Sequence, residues 1–515
     1  MQHLQEARGP LEQHWRQIAH YVHPNRSQGS WQINRQGDLS QSSGVKQSLF
    51  DSTAPLAADA LANGLFALLT NPAMDWFELK GDDGQPGGEA GAGKNSAARL
   101  EANLKAVIEL RANALYSVLP DLFRDLVCFG TAVLSVEADP RPGRVRLDVR
   151  DLMNLYLAAD EAGSVSTVFR QFTLSAEQIA QRYPQSMPKN VAQAMAEGRH
   201  DDRFELVHVV LPRRDHQPHG VGAKALAYES LVIDPIEAQV LHQGGYHEMP
   251  YLVVRWSMAS GKLYGEGPAS LALPDVRALN TMVQTNLTAA QKAVDPPIMA
   301  IDENGLRGLK THPGSVIYGG LDSTGRRMIE PFPTSGQIGL GLELEEQRRV
   351  AIRDAFHNSL LREVSERATQ TATEFLGRQE ERLRLLAPNL GRVESELLEP
   401  LVRRLAAILY RKGEVDVQLP LQAQGAEIRF LSPLAQAQRA AEAHRMTRSL
   451  KALQPFGDAF PQLMQALDTE KLSDELLDFA GLPKRKIPPE SVVPGGPMTP
   501  TDGSAVLPVV VAGGR

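Results

Sequence analysis

The chain has 515 residues, 42% of them hydrophobic, which is enough for several domains with ordinary cores. Its net charge of −7 is the opposite of the basic surface expected of a protein that grips nucleic acid through phosphates. No run approaches the ~20 apolar residues that span a bilayer, and the first residues lack a signal-peptide core. We therefore expect a location in the cytoplasm or in a soluble assembly. A single cysteine, Cys128, excludes an internal disulfide and indicates a buried core residue.

The first part of the chain is predicted to be helical. Apolar residues share one helical face at Leu11, Trp15, Ile18, Ala19 and Val22. A second helix, rich in Ala and Leu, is predicted from Ala54 to Leu69, and Pro24 and Pro72 end the two helices. The Gly-rich segment from Asp82 to Ser96 predicts a surface loop, and a helix is predicted from Ala97 to Val118.

Between Thr131 and Trp256 the apolar period changes to two, which is typical of β-strands. The predicted strands are AVLSVEA, RVRLDVR, STVFRQFTL, FELVHVVL, YESLVID, AQVLHQ and YLVVRW. Helices followed by a strand-rich region predict an α+β fold class.

Two helices separated by short strand and turn signals come next. The first opens near Pro268 and ends at the Pro296–Pro297 pair; its regular part of about 22 residues would measure ~33 Å. The second is predicted from about Leu342, after Gly339 and Gly341, to Leu361.

A longer amphipathic helix is predicted from Thr371 to Leu409. Its leucine-rich face comprises Leu376, Leu383, Leu386, Leu390, Val393, Leu397, Leu401, Leu405 and Ile408. Pro388 and Pro400 each remove a backbone donor and are predicted to bend it. Strand-like EVDVQLP and AEIRFLSP follow, then a helical segment from Pro433 to Leu482 and a flexible tail after Pro488.

No motif predicts catalysis, a cofactor or a metal. GEAGAGKNS has Gly88, Gly93 and Lys94 at the spacing of a phosphate-binding loop, but Asn95 replaces the hydroxyl that holds Mg²⁺ and no strand directly precedes the first glycine. We therefore expect a plain solvent loop. The histidines form no HExxH pattern or one-turn pair with a carboxylate, so we expect scattered histidines and no metal site.

Several segments resemble the head-to-tail connector (portal) proteins of short-tailed bacteriophages, the podovirus type. They are WRQIAHYVHPNR, FDSTAPLAADALANGLFALLTNPAMDWFEL, FGTAVLSVEAD, YGEGP and the helical segments LALPDVRALNTMVQTNLTAAQKAVDPP and TATEFLGRQEERLRLLAPNLGRVESELLEPLVRRLAAIL. Their joint order carries the resemblance, which covers most of the chain from about Trp15 to Leu482.

The resemblance implies a portal-type subunit with an α/β wing, a two-helix stem, a small β clip and a helical crown. The implied segments are a wing at 1–265, a first stem helix at 266–295, a clip at 296–339, a second stem helix at 340–361, a channel loop at 362–370, a long kinked helix with wing strands at 371–430, a crown at 431–487 and a tail at 488–515.

The implied function is structural and non-enzymatic: a homo-oligomeric ring, twelve-fold as in the mature family members, at one capsid vertex of the virion. Its implied partners are major capsid and scaffolding proteins, terminase, tail adaptor proteins and the double-stranded DNA that passes through, with no membrane. An acidic channel wall would repel the DNA backbone and let it slide. Another phage structural protein, such as a tail or scaffold component, is the alternative, and an enzyme that uses ATP through the Gly88–Lys94 loop is a third.

Charged residues near the second stem helix are the candidates for DNA contact. In the channel loop these are Arg362, Glu363, Glu366 and Arg367, because a loop without apolar residues has no core to enter. On the helix they are Glu343, Glu346, Arg349 and Arg353. Charges of both signs lie along the helix, which equally predicts a solvated face with i,i+4 ion pairs or a joint between subunits.

Overall fold

The computed structural model describes residues 2–27, 49–73, 75–81, 92–109, 113–217, 220, 222–300, 321, 324–331, 338–358, 386–414 and 426–431. The chain divides into two compact units, Met1–Ala435 and Gln436–Arg515, and every described residue belongs to the first. The predicted channel loop, the start of the long helix, residues 415–420 of the strand EVDVQLP, residues 432–487 of the crown, and the tail lie outside the described residues.

The described part of the chain combines helices with antiparallel sheets, which confirms the α+β fold class. The helices are α1 (Gln2–Tyr21), α2 (Pro24–Ser27), α3 (Thr53–Leu69), α4 (Ala92–Glu109), α5 (Leu115–Phe129), α6 (Ala176–Arg182), α7 (Lys189–Ala196), α8 (Pro268–Val294), α9 (Ile338–Ala355) and α10 (Glu399–Arg411). The strands are β1 (Phe77–Gly81), β2 (Thr131–Ala138), β3 (Val145–Arg150), β4 (Leu155–Ala159), β5 (Val165–Ser175), β6 (Arg203–Pro212), β7 (Tyr228–Asp234), β8 (Gln239–Tyr246), β9 (Tyr251–Arg255), β10 (Ile298–Ala300), β11 (Ile329–Pro331) and β12 (Ala426–Phe430).

All strand pairs among the described residues are antiparallel. Strands β4 to β8 form a five-stranded meander in chain order, and β3-β2-β9 form a three-stranded sheet. Two further pairs join β1 to β12 and β10 to β11. A main core gathers α1, α3, α4, α5 and α10 with the three-stranded sheet, the start of α8 and the end of α9. A smaller core lies under α6 and α7 on the five-stranded sheet.

The seven strands predicted between Thr131 and Trp256 are confirmed, but the helices α6 and α7 within that region were not predicted. Ser175 starts α6 with a reciprocal capping box: its side chain accepts from the Gln178 backbone N–H, and the Gln178 side chain accepts from the Ser175 backbone N–H. The S-x-x-Q signal was present in the sequence and could have located this helix.

The single helix predicted from Ala97 to Val118 is wrong. The structure has α4 and α5 in its place, because Ala114 takes a left-handed backbone conformation with φ of 53° just before α5. That conformation is uncommon outside glycine and cannot continue a right-handed helix.

Just before Pro400, where a bend is predicted, the structure has a π-helical turn. Residues 386–393 are α-helical, Glu394–Leu398 are π-helical, and α10 follows. Pro400 has no N–H to continue the ladder of i to i−4 bonds, and the neighbouring Glu399 N–H reaches back to Glu394. Glu396, inside this turn, accepts from the Arg255 backbone N–H at 2.9 Å and from its guanidinium at 2.7 Å, which ties the helix to β9.

Candidate functional site

Helix α8 is buried on one face along its first half and only partly covered along its second half. Pro268 occupies the first turn, where backbone N–H groups have no partner within the helix, so its missing N–H costs no hydrogen bond. The buried side chains share one face and comprise Pro268, Ala269, Ala272, Leu273, Val276, Leu279, Asn280 and Val283. Beyond Val283 no α8 side chain is buried against the described part of the chain. The helix therefore extends beyond the core that anchors it.

The backbone enters α8 through a crossing of glycines. Gly130, with φ of +72°, lies against Gly265 and Gly267 so closely that a Cβ on Gly130 would be 2.4 Å from the Gly267 nitrogen. A Cβ on Gly267 would be 2.6 Å from the Val127 oxygen. Only glycine permits this approach of two backbone segments. The YGEGP segment and the FGTAVLSVEAD segment thus contact each other directly.

The amino-terminal segments meet at the same place. Trp15 packs edge-on against Tyr264 at 5.2 Å between ring centroids, and the His14 Nε2 lies 2.5 Å from the Ser270 hydroxyl. The Phe50 backbone N–H donates to the Asn280 side chain at 2.8 Å. These contacts fix the start of α8 to α1 and to the segment before α3.

Helix α9 begins at Ile338, earlier than the predicted Leu342, because Gly339 and Gly341 lie inside the helix and do not precede it. Gly341 packs against Asn286 of α8, and a Cβ there would lie 2.6 Å from the Asn286 Nδ2. The helices can approach closely only because Gly341 has no side chain. The far end of α9 is at Ala355, short of the predicted Leu361, and His357 takes φ of 55° just beyond it.

A buried polar network joins α8, α9 and the segment before α3. Glu345, 3% exposed, accepts from the Asn286 Nδ2 at 2.6 Å and from the Arg349 guanidinium at 2.9 Å. Arg349 also donates to Asp51 at 3.0 Å. Burial by itself raises the pKa of Asp51, but hydrogen bonds from Thr53 and Arg349 outweigh it, so that the pKa lies below its ordinary value.

The structure gives the predicted charged residues of α9 different surroundings. Arg349 is bound within the subunit, as described above. Arg353 donates to Glu346 at 3.2 Å, and the Glu346 side chain remains about half exposed. Glu343 is exposed. The candidates Arg362, Glu363, Glu366 and Arg367 lie outside the described residues.

Large apolar side chains are exposed along both helices. On α8 they are Leu271, Leu287 and Val294, of which Val294 is 87% exposed; on α9 they are Leu342, Leu344 and Val350. An open groove of about 840 Å³ runs along α8 between α1 and the start of α9. Its walls include Tyr21, Ala278, Met282 and Gly341. The groove and the exposed apolar side chains on the two helices are the surfaces of this region that could contact another molecule.

The remaining motifs bring no reactive groups together in the described part of the chain. No cluster of His, Cys, Asp and Glu there could hold a metal ion, and no helix there is long and apolar enough to cross a membrane. The Lys94–Asn95 pair lies in the first turn of α4, while residues 82–91 of the glycine-rich loop are outside the described residues. Cys128 is fully buried, and its burial raises the pKa of the thiol.

A family model described as bacteriophage head to tail connecting protein matches residues 1–487. The chain belongs to this connector family. A probable portal protein of Bordetella phage BPP-1 is 26% identical over 493 residues, which cover 94% of this chain and 85% of the relative. The portal protein of Salmonella phage epsilon15 is 25% identical over 506 residues, which cover 96% of this chain and 88% of the relative.

Membership of the connector family confirms the resemblance inferred from the segment order. It also confirms the structural, non-enzymatic class predicted from the sequence, because both relatives are named as portal proteins. The glycine crossing and the α8–α9 network are therefore architectural features of a connector subunit.

Proposed function

We propose that this connector is a portal subunit: copies of it form the ring at one capsid vertex of a tailed phage, through which double-stranded DNA is packaged and ejected. Ring assembly is inferred from the exposed apolar side chains of α8 and α9, which would be in contact with water in a single subunit. The two portal relatives support the function, because each is matched along most of its length.

We assign α8 and α9 to the stem, and the segment 296–339 between them, with its β10–β11 pair, to the clip. The α/β region at 1–265 is the wing, and residues 371–430 add the long helix and wing strands. The helical crown is assigned to 431–487, and 488–515 to a tail. The order of described helices and strands is compatible with this division.

The subunit joint pairs two different surfaces, as a closed ring of identical copies requires. One surface is the groove on α8, whose exposed floor residue Ala278 is small enough to admit a neighbouring helix. The other is on α9, where the side chains of Leu344 and Val350 are exposed. Each subunit offers its α9 side to the groove of the next.

The candidates for DNA contact are charged side chains that remain exposed on the surface of the subunit. Glu343 and Glu346 are exposed, and acidic side chains on a channel wall repel phosphates and so permit sliding. Arg353 pairs with Glu346 at the same surface, whereas Arg349 is held by Asp51 and Glu345. The loop residues Arg362, Glu363, Glu366 and Arg367 remain the second set of candidates.

The ring is proposed to have twelve subunits and to assemble in the host cytoplasm with major capsid and scaffolding proteins. It would then dock terminase during packaging and tail adaptor proteins afterwards. Terminase would supply the energy of translocation.

Native mass measurement and electron microscopy of the purified chain test the ring. The wild-type chain should give a closed ring of about a dozen copies, and Ala278→Trp or Leu344→Glu should give folded monomers. Ile236→Glu is the matched control, because Ile236 is 75% exposed but lies outside the stem. A wild-type chain that stays monomeric at all salt and protein concentrations would contradict the portal assignment. Rings that survive both stem variants would show that the joint lies elsewhere.

A further inference from the structure

A polar seam separates the two hydrophobic cores on one face of the five-stranded sheet. Arg170 of β5 is directly opposite His208 of β6, so their side chains lie on the same face. The preceding pair on that face, Val168 and Val210, packs in the main core, and the following pair, Phe172 and Leu206, packs in the smaller core. Arg170 and His208 therefore occupy the boundary between the cores.

The floor of the seam is buried, hydrogen-bonded and uncharged. The two ring nitrogens of His208 lie 2.7 Å from the Tyr251 hydroxyl and 2.9 Å from the Ser230 hydroxyl. Burial, followed by the charges of nearby arginines, lowers the pKa of His208 to about 3, so the imidazole is neutral near pH 7. The floor supplies hydroxyl and ring dipoles but no negative charge.

Three arginines, Arg150, Arg170 and Arg182, are close enough to His208 for their charges to lower the pKa of its ring. Arg150 donates to the Ser135 hydroxyl at 2.8 Å, and Ser135 is directly opposite Tyr251 in the three-stranded sheet. The guanidinium of Arg170 lies 4.7 Å from the centre of the Phe172 ring, and that of Arg182 lies 5.8 Å from the Tyr183 ring. Stacking on aromatic rings restricts a guanidinium and leaves its N–H edge available.

The positive charge of the cluster is only partly compensated. Asp148 pairs with Arg150 and also with Arg146, and Glu137 is close enough to act on Arg150. Among the described residues, the structure gives neither Arg170 nor Arg182 an ion-pair partner, and the buried Arg170 Nε has no hydrogen-bond partner. Burial and then the charge of Arg170 lower the pKa of Arg150, as expected where cations are crowded together.

We propose that Arg150, Arg170 and Arg182 form an anion site that binds a phosphate group at the seam between the two cores. Planar guanidinium groups match the oxygens of phosphate through two parallel N–H bonds, and an uncharged floor sets no negative charge against the anion. The phosphate belongs either to a free phosphate ion or to the backbone of DNA. The site is local, since the chain as a whole is acidic.

Binding of inorganic phosphate to the purified full-length chain tests the site, with sodium chloride at matched ionic strength as reference. Phosphate should raise the melting temperature and the pH at which the His208 ring protonates in an NMR titration. The double variant Arg170→Gln, Arg182→Gln should weaken binding by about tenfold or more, because it removes charge-assisted bonds. The double variant Arg170→Lys, Arg182→Lys keeps the positive charges but loses the paired N–H donors of guanidinium, and it should bind phosphate with intermediate affinity.

Arg199→Gln is the matched control, because Arg199 lies near the same small core but is paired with Glu197 and Asp202. It should bind phosphate as the wild type does. A short duplex DNA that competes with phosphate, and binds more weakly to the double variant, identifies the DNA backbone as the source; DNA that does not compete identifies the free ion. A phosphate response no larger than that of chloride, or one that the double variant retains in full, overturns the proposal.

Discussion

Replacing Glu345 by alanine should destabilise the α8–α9 pair more than any neighbouring charge substitution on α9. The Glu345 carboxylate is the only group in the described network that contacts both Asn286 of α8 and Arg349 of its own helix. Its removal leaves the Asn286 amide facing Gly341 without its acceptor, and it leaves Arg349 with Asp51 as its main partner.

The structure sets the size of the effect. Removing one partner of a buried ion pair costs about 3–5 kcal/mol, because the other charge stays desolvated. Arg349 keeps its bond to Asp51, and its side chain is 24% exposed, so a loss of about 2–3 kcal/mol is expected. Glu343→Ala, on the exposed side of the same helix, should change the free energy of unfolding by less than about 0.5 kcal/mol.

Urea unfolding followed by circular dichroism measures the difference, and all variants must be compared at one subunit concentration because assembly adds stability by mass action. The double variant Glu345→Ala, Asn286→Ala separates the pairwise bond from the rest of the network, since contacting residues are non-additive. If Glu345→Ala and Glu343→Ala unfold at the same urea concentration, the network does not hold the two helices together and the reasoning fails.

Gly130→Ala should lower the free energy of unfolding by about 3 kcal/mol or more, because the added Cβ collides with Gly267 and the left-handed backbone is strained. Gly163→Ala, with φ of +80° and open space around it, should lose only the strain of about 1 kcal/mol. Equal melting temperatures for the two variants would contradict the close backbone approach at Gly130. The pKa of His208 is lower in the folded protein than in the unfolded chain. The stability that the neutral ring contributes is therefore complete above about pH 6.5, and the free energy of unfolding falls by at most ~1.4 kcal/mol per pH unit as the pH drops toward 3. His208→Gln should flatten that part of the stability curve, and an unchanged slope would count against a buried neutral ring. Alanine at all four charged residues of 362–367 should leave rings intact and impair DNA packaging or retention; normal packaging would make the loop an ordinary surface turn.

The sequence located most elements of the described region because their apolar periods are local. The strands from AVLSVEA to YLVVRW each carry a period of two, and α8 has its proline start and end within its own segment. Two predicted helix boundaries were wrong. Ala114 carries no turn signal although it ends the helical path there, and Gly341 was expected to precede α9 because glycine commonly breaks helices. The position of Gly341 inside α9 is explained by the contact with Asn286 of α8, which leaves no room for a side chain.

The contacts of the candidate site could not be predicted, because they join residues that are far apart in the chain. Asn286 and Glu345 are separated by 59 positions, and Asp51 and Arg349 by 298. From sequence alone, the charges of α9 had the same pattern whether they met solvent, DNA or a neighbouring subunit. The structure shows that Glu345 and Arg349 are used inside the subunit, while the loop at 362–370 remains a prediction.

The segments that carried the resemblance contain no catalytic pattern, and their contacts explain why they were nevertheless informative. The glycine of FGTAVLSVEAD and those of YGEGP form one backbone crossing, the tryptophan of WRQIAHYVHPNR packs on the tyrosine of YGEGP, and the aspartate of FDSTAPL binds α9. All of them lie where α8 or α9 meets the rest of the described core. Residue size matters at such contacts, because a single added Cβ at one of these glycines would collide with the facing backbone. Membership of the connector family was therefore predictable from residues whose role in the described structure is packing.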